Sequence, residues 1–115
     1  KQRVMNSMQQ AVDLWIKQYG IRYFNEMTNT LILVEEVGEL ARHISRTYGE
    51  QSYKNFPDQE KSQEMIREEL ADIQFVLCCL ANQMQIDLDA AMQESLSKKT
   101  KRDKDRHSNN PKLLA

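Results

Sequence analysis

Leu33-Val34-Glu35-Glu36-Val37-Gly38-Glu39-Leu40-Ala41 sets three carboxylates inside a run that is otherwise apolar or small. Wound as a helix, it turns Glu36 and Glu39 the same way, three residues apart, with Glu35 four residues before Glu39. Glu68-Glu69-Leu70-Ala71-Asp72-Ile73 repeats the arrangement, with Glu69 and Asp72 at the same i, i+3 spacing. Two helices that each frame an acidic pair with core-type residues make the chain all-α, and the remaining elements have to fit around them. With only three Gly and two Pro among 115 residues, composition agrees with helix and argues against a turn-rich β fold.

Around the first stretch, Leu33, Val37, Leu40 and Ile44 form one stripe, and Ile32, Glu36, Glu39 and His43 the stripe beside it. The expected helix runs over 29–48, capped by Thr28 and closed by Gly49. Before it, Val4, Met8, Ala11, Trp15 and Tyr19 recur at four- and three-residue steps on a first helix that Gly20 ends as a C′ residue. A connector over 21–28 carries Tyr23 and Phe24. After it, residues 50–57 break the pattern, and Asp58 or Ser62 starts a third helix. There Ile66, Leu70, Ile73, Leu77, Leu80 and Met84 line one face, while Phe75, Val76, Cys78 and Cys79 fill most of the rest. A helix apolar nearly all round is buried on several sides, which a chain this short cannot do with its own helices alone. The expected architecture is therefore a four-helix-type antiparallel bundle, dimerised through the third helix. Asp87 caps the fourth helix, which turns Leu88, Met92 and Leu96 toward the core. Residues 98–107 are locally basic, and the rest reads as an extended tail, giving a domain over 1–107 and a tail over 108–115.

The length fits one domain. A net charge of −1 gives no electrostatic case for nucleic acid or an anionic membrane. The longest apolar run is far too short to span a bilayer, and no export signal opens the chain, so a cytoplasmic protein is expected. Cys78 and Cys79 point about 100° apart on a helix and cannot pair within it; they read as buried hydrophobes in a reducing compartment. With no His or cation beside them, neither is expected to be a catalytic thiol.

A Glu pair on a helix is ordinarily just a solvated face. Three features oppose that here. Apolar residues flank both pairs, the arrangement occurs on two helices, and Gly38 sits mid-helix at a cost of about 1 kcal/mol against Ala, as close approach of a helix or ligand would explain. If the pairs converge, up to four negative charges share one site, and a divalent cation relieves the repulsion. An all-oxygen ligand set selects Mg²⁺, with Mn²⁺ also suited, over Zn²⁺, and Mg²⁺ so held keeps positions open for substrate phosphates. Lys99 and Arg106 could then meet phosphate oxygens, although cations at a helix C-terminus are more often only dipole partners.

At these residues the chain resembles the MazG-like members of the all-α NTP pyrophosphohydrolase superfamily. The likeness rests on Glu35-Glu36-Val37-Gly38-Glu39 as Glu-Glu-x-x-Glu, on Glu69-Leu70-Ala71-Asp72 as Glu-x-x-Asp, and on the spacing of Lys99 and Arg106 behind them. It spans roughly residues 11–107. The resemblance implies Mg²⁺-dependent hydrolysis of an NTP or dNTP between the α- and β-phosphates, giving a monophosphate and pyrophosphate, a nucleotide-pool house-cleaning activity. It implies metal ligands at Glu36, Glu39, Glu69 and Asp72, a water-positioning carboxylate at Glu35, phosphate contacts at Lys99 and Arg106, and a homodimer or homotetramer. Asp103 stands where the family often has Asn, and His107 where it often has an aromatic; both lie at the nucleotide-contacting end. Glu35 or Glu36 could take the proton of the attacking water. Tyr23, Phe24 and Asn29, whose connector leads into the acidic helix, are candidates to hold the base.

Two other classes compete. A di-iron carboxylate bundle usually needs Glu-x-x-His, but Glu39 is followed by His43 one position too late and Asp72 by Val76; His43 reads as a polar-rim residue. A non-enzymatic helical adaptor would use the acids to bind nucleotide and metal, or a basic partner, without turnover.

Overall fold

A computed structural model describes residues 4–55 and 57–114. Lys1, Phe56 and Ala115, which fall within the expected domain, loop and tail, lie outside the described residues. The elements are α1 (Ser7–Trp15), α2 (Glu26–Tyr48), α3 (Gln59–Gln83) and α4 (Leu88–Asp103), with a short 3₁₀ turn at Pro111–Leu113 and no strand among the described residues.

Each helix starts where a short polar side chain can satisfy the orphan N–H groups of the first turn. Asn6 and Gln9 form a reciprocal capping box on α1. Asp58 accepts from Lys61 N, and Asp87 from Asp89 N and Ala90 N, as expected. The cap of α2 is Asn25 rather than Thr28: Thr28 is the residue whose N–H Asn25 accepts, so the helix begins three residues before the expected start. Gly49 closes it; a Cβ there would stand 2.5 Å from the Ser45 carbonyl oxygen. Gly20 does not close α1. The helix instead widens into a π turn over Ile16–Gly20, and the positive φ falls on Ile21.

α2 and α3 are antiparallel, as bonds at both ends of the pair show: Asn29 donates to Gln83, and Gln63 donates to Tyr48. α1 crosses α3 and brings Val12 and Ile16 onto Cys78 and Cys79, with Tyr23, Phe75 and Leu88 around them. Both thiols are free, and burial raises them, that of Cys79 to about 11, so they act as hydrophobes, as expected.

The stripes fall differently from expectation. On α1 the buried residues are Gln9, Val12 and Ile16, whereas Met8, Trp15 and Tyr19 are exposed. Gln9 has no exposed surface because its amide joins three elements. Its Nε2 donates to Asn82 Oδ1 and the Ile86 carbonyl, and its Oε1 accepts from Leu88 N. On α3 the buried set is Ser62, Ile66, Val76, Cys78, Cys79 and Ala81, leaving Leu70, Leu77 and Met84 exposed. α4 buries no residue; Met92 and Leu96, expected toward the core, are 58% and 54% exposed. Gly38 has open space where a Cβ would stand, so no helix of the same chain approaches it. A radius of gyration of 18.2 Å, against about 13 Å for a compact chain of this length, describes the same openness. Beyond α4 the tail is not extended but turned, with Arg106 N bonding to Asp103 O and Asn110 capping the 3₁₀ turn.

Candidate active site

Because α2 and α3 run antiparallel with the acidic pairs at matching heights, the carboxylates face one another across the helix seam. One ligand atom from each of Glu36, Glu69 and Asp72 lies within 4.8 Å of the others. A second group, Glu39, His43 and Glu69, meets the same limit, so Glu69 is common to both. Glu36 and Glu69 are half-buried, and Glu39 and Asp72 exposed.

Crowding of like charges shows in the protonation of Glu36. A proton shared with Glu69, then burial, then the charges of Glu69, Asp72 and Glu39 push its carboxyl up to about 7. Glu69 Oε2 is buried and meets no hydrogen-bond partner among the described residues. An orphaned carboxylate oxygen facing two further acids fits a divalent cation, which would relieve both conditions.

His43 corrects the polar-rim expectation: it is 7% exposed, and its Nδ1 lies 2.7 Å from the Tyr53 hydroxyl. Its signal in the sequence is the i, i+4 step from Glu39 along the Glu36 stripe. The Tyr53 hydroxyl also donates to the His43 carbonyl, so this residue ties the loop after α2 to the acidic cluster.

A cavity of about 500 Å³ opens beside the acids, with Glu36 and Asp72 in its wall. Tyr23, Phe24 and Asn29 line it, together with Trp15, Ile32 and Phe75, which the residue pattern places on a helix without a site role. Trp15 and Phe75 meet edge to face at 5.7 Å. Polar bonds hold the wall in place. Tyr23 donates to Asp13 and accepts from Asn82, while Asn29 and Gln83 both donate to the Phe24 carbonyl. At the mouth, Arg22 N bonds to the Gly20 carbonyl across Ile21, at φ 70 and ψ −57. This is the rare positive-φ γ-turn, strained for a β-branched residue by about 1–3 kcal/mol. It swings Tyr23 and Phe24 back over the cavity.

The other expected residues are not brought to this place. Glu35 is exposed and belongs to neither acidic group. Lys99 donates to Ser95 on a shallow groove lined by α4 alone. Arg102 and Arg106 both bond to Asp103, which they hold at about 2, chiefly through the Arg102 hydrogen bond. No described bond joins Lys99, Asp103 or Arg106 to the acidic cluster.

No described helix is long and apolar enough to cross a membrane. The model of the MazG nucleotide pyrophosphohydrolase domain matches residues 24–107. YpjD of Bacillus subtilis (strain 168) is 41% identical over 104 residues, 90% of this chain and 90% of its own length. Two crystal structures superpose with a TM-score of 0.69: YPJD from Bacillus subtilis, 35% identical, covering 85% of this chain and 95% of that one, and the Bacillus-conserved MazG protein, a nucleotide pyrophosphohydrolase, 37% identical, covering 92% and 98%.

Proposed function

The chain belongs to the MazG nucleotide pyrophosphohydrolase family, and on that premise we propose that it cleaves the α–β bond of an NTP or dNTP, with Mg²⁺ or Mn²⁺, to a nucleoside monophosphate and pyrophosphate. It is a hydrolase of phosphoanhydride bonds; the bond cleaved, the cation and the residue roles are the proposal. The observation that carries it is the meeting of Glu36, Glu69 and Asp72 beside an aromatic-walled cavity of about 500 Å³. That volume suits a nucleobase and its sugar.

In this reading Trp15, Tyr23, Phe24 and Phe75 enclose the base and Asn29 offers it a polar edge. Glu36, Glu39, Glu69 and Asp72 hold the cation, and the geometry leaves His43 oriented by Tyr53 as a further donor. A cation held there supplies Lewis-acid polarisation of the phosphoryl group and neutralises charge on the departing pyrophosphate. Glu35, with no ion pair among the described residues, takes the proton of the attacking water, with Glu36 the second candidate. Lys99 on α4 and Arg106 just beyond its end meet phosphate oxygens. Since α4 buries nothing in its own chain, they do so in a homodimer or homotetramer, where they can reach the cluster of another copy. The apolar residues left exposed on α2, α3 and α4 support such an assembly.

Purified protein with Mg²⁺ and a panel of NTPs and dNTPs tests this. Pyrophosphate should be released with the monophosphate, and Asp72→Asn or Glu69→Gln should lower kcat by roughly a hundredfold or more. Release of orthophosphate from the triphosphate end would sink the α–β assignment. Tight nucleotide binding without turnover would instead favour an adaptor.

A further inference from the structure

Beyond the acidic cluster, on the side away from the aromatic cavity, lies an open groove of about 510 Å³ lined by Arg42, Arg46, Lys54 and Lys61, with Ser52 and Tyr53 among its polar residues. No carboxylate is among its lining residues. Its cations come from three elements: the C-terminal half of α2, the loop, and the first turn of α3. The two ion pairs that reach it are long and exposed, Arg42 to Glu39 at 3.8 Å and Lys61 to Glu64 at 3.7 Å, and pairs of this kind hold a cation only weakly. Arg46 Nη1 is buried and has no hydrogen-bond partner among the described residues. A buried guanidinium N–H without an acceptor is costly to keep and calls for an anion.

The groove is in line with the site. Glu35, Glu39, Arg42 and Arg46 follow one another along α2 at four-, three- and four-residue steps, and so share a face. On α3, Lys61 and Met65 of the groove lie eleven and seven residues before Asp72, which keeps them on the same side as the acid. One face of the α2–α3 pair therefore presents, in order, an aromatic cavity, an acidic cluster and a cationic groove. At about 1.5 Å per residue, Arg46 lies about 10 Å along α2 from Glu39, within reach of the far end of a triphosphate whose α-phosphate is at the acids. Tyr53, bonded to His43, fixes the loop that carries Lys54 against this end of the cluster.

We propose that the groove of Arg42, Arg46, Lys54 and Lys61 binds the β- and γ-phosphates of the substrate and, after cleavage, pyrophosphate. It is the part of the site that distinguishes triphosphates from shorter phosphate chains. The proposal rests on the α–β cleavage reading for its orientation, but its ligand chemistry, a condensed phosphate anion, can be tested without turnover.

Calorimetric titration of the full chain, in Mg²⁺, with inorganic pyrophosphate and separately with a nucleoside monophosphate provides that test. Arg46→Gln should weaken pyrophosphate roughly tenfold or more and leave the monophosphate unchanged, and Arg46→Lys should restore part of the loss. In steady-state assays the same substitution should raise KM for triphosphates more than for diphosphates, with kcat held. Should Arg46→Gln fail to fold, the exposed double substitution Lys54→Gln/Lys61→Gln decides by the same criteria. Unchanged pyrophosphate affinity, or equal loss for pyrophosphate and monophosphate, overturns the proposal. Wild-type protein that releases no pyrophosphate from any NTP would sink the cleavage reading, while the titration would still judge the groove.

Discussion

The α2–α3 pair and α4 use their charge oppositely. Across the α2–α3 seam, acids are pressed together until Glu36 shares a proton and an oxygen of Glu69 is left without a partner among the described residues. Toward the end of α4 charge is neutralised locally: Arg102, and Arg106 just beyond the helix, bind Asp103, Lys98 binds Glu94, and the helix buries nothing. Frustrated charge accumulates where packing against a second helix forces groups together; satisfied charge marks an element whose partners are elsewhere. The seam thus has the character of a binding site within one chain, and α4 that of an arm.

What joins arm to body is narrow, and breaking it should give the largest effect on stability. Gln9 Oε1 accepts the Leu88 N–H at the start of α4, and its Nε2 satisfies Asn82 and Ile86 before that helix begins. Gln9→Ala leaves the half-buried N–H groups of Leu88 and Asn6 and two acceptors without their partner, each worth about 1–3 kcal/mol if kept from water. With partial rescue by water, a loss of about 3 kcal/mol is expected in denaturant melts. Hydrogen exchange should rise at the first turn of α4 while the amides in the middle of α2 and α3 stay protected. Equal loss of protection in all three helices would show that the arm is not a separate unit.

The next effect belongs to the seam. Glu36 holds its proton to about pH 7, well above an unfolded carboxyl. The folded chain thus binds more protons than the unfolded one between about pH 4.5 and 7. Without metal, its contribution is present at low pH and is lost as pH rises through 7. Solvent screening of this half-exposed site limits the change to about 1–2 kcal/mol. A divalent cation reverses the sign, because it needs the carboxylate that the proton blocks. Melting temperatures should fall from pH 5 to 7.5 without metal, and Mg²⁺ should raise them more at pH 8 than at pH 5.5. Glu36→Gln should flatten the metal-free slope; a slope left intact would place the shared proton elsewhere.

The comparison also explains what could be read from residues alone. Four helices, three of their N-caps or stops, and the common facing of each acidic pair on its own helix followed from i, i+3 spacing and cap chemistry, because these are local; that the two pairs meet stood in the sequence only as a condition. The cavity wall was half legible: the aromatics of the connector were found, whereas Trp15 looked like an ordinary stripe residue and Phe75 like part of the remaining surface of α3, since nothing local says which face borders a void. The choice of stripe failed on α1, α3 and α4 for one reason. Periodicity finds an apolar face but not its neighbour, and a polar residue such as Gln9 can outrank Met8 or Trp15 for the interior once its amide bridges three backbones. His43 was misjudged likewise, its burial depending on Tyr53 from a loop with no periodic signal.

The smallest effect tests whether the open side of the seam stays open. Gly38 lies mid-helix on α2, with Val34 and Val37 exposed near it and nothing within 4 Å of a would-be Cβ. In a single chain Gly38→Ala therefore meets no clash and removes the entropic cost of glycine in a helix, raising stability by about 0.5–1 kcal/mol. A second copy laid along this face would reverse the sign, since the missing Cβ is what lets another backbone come close. Dilution separates the two cases. If the face is free, the stabilisation is the same at low and high protein concentration, and sedimentation is unchanged. If it is an interface, Gly38→Ala stabilises the dilute monomer while lowering the melting temperature of the concentrated protein and shifting sedimentation toward the smaller species. The second outcome is expected, because exposed Leu31, Val34 and Val37 on one helix leave more apolar surface than a lone chain would keep in water.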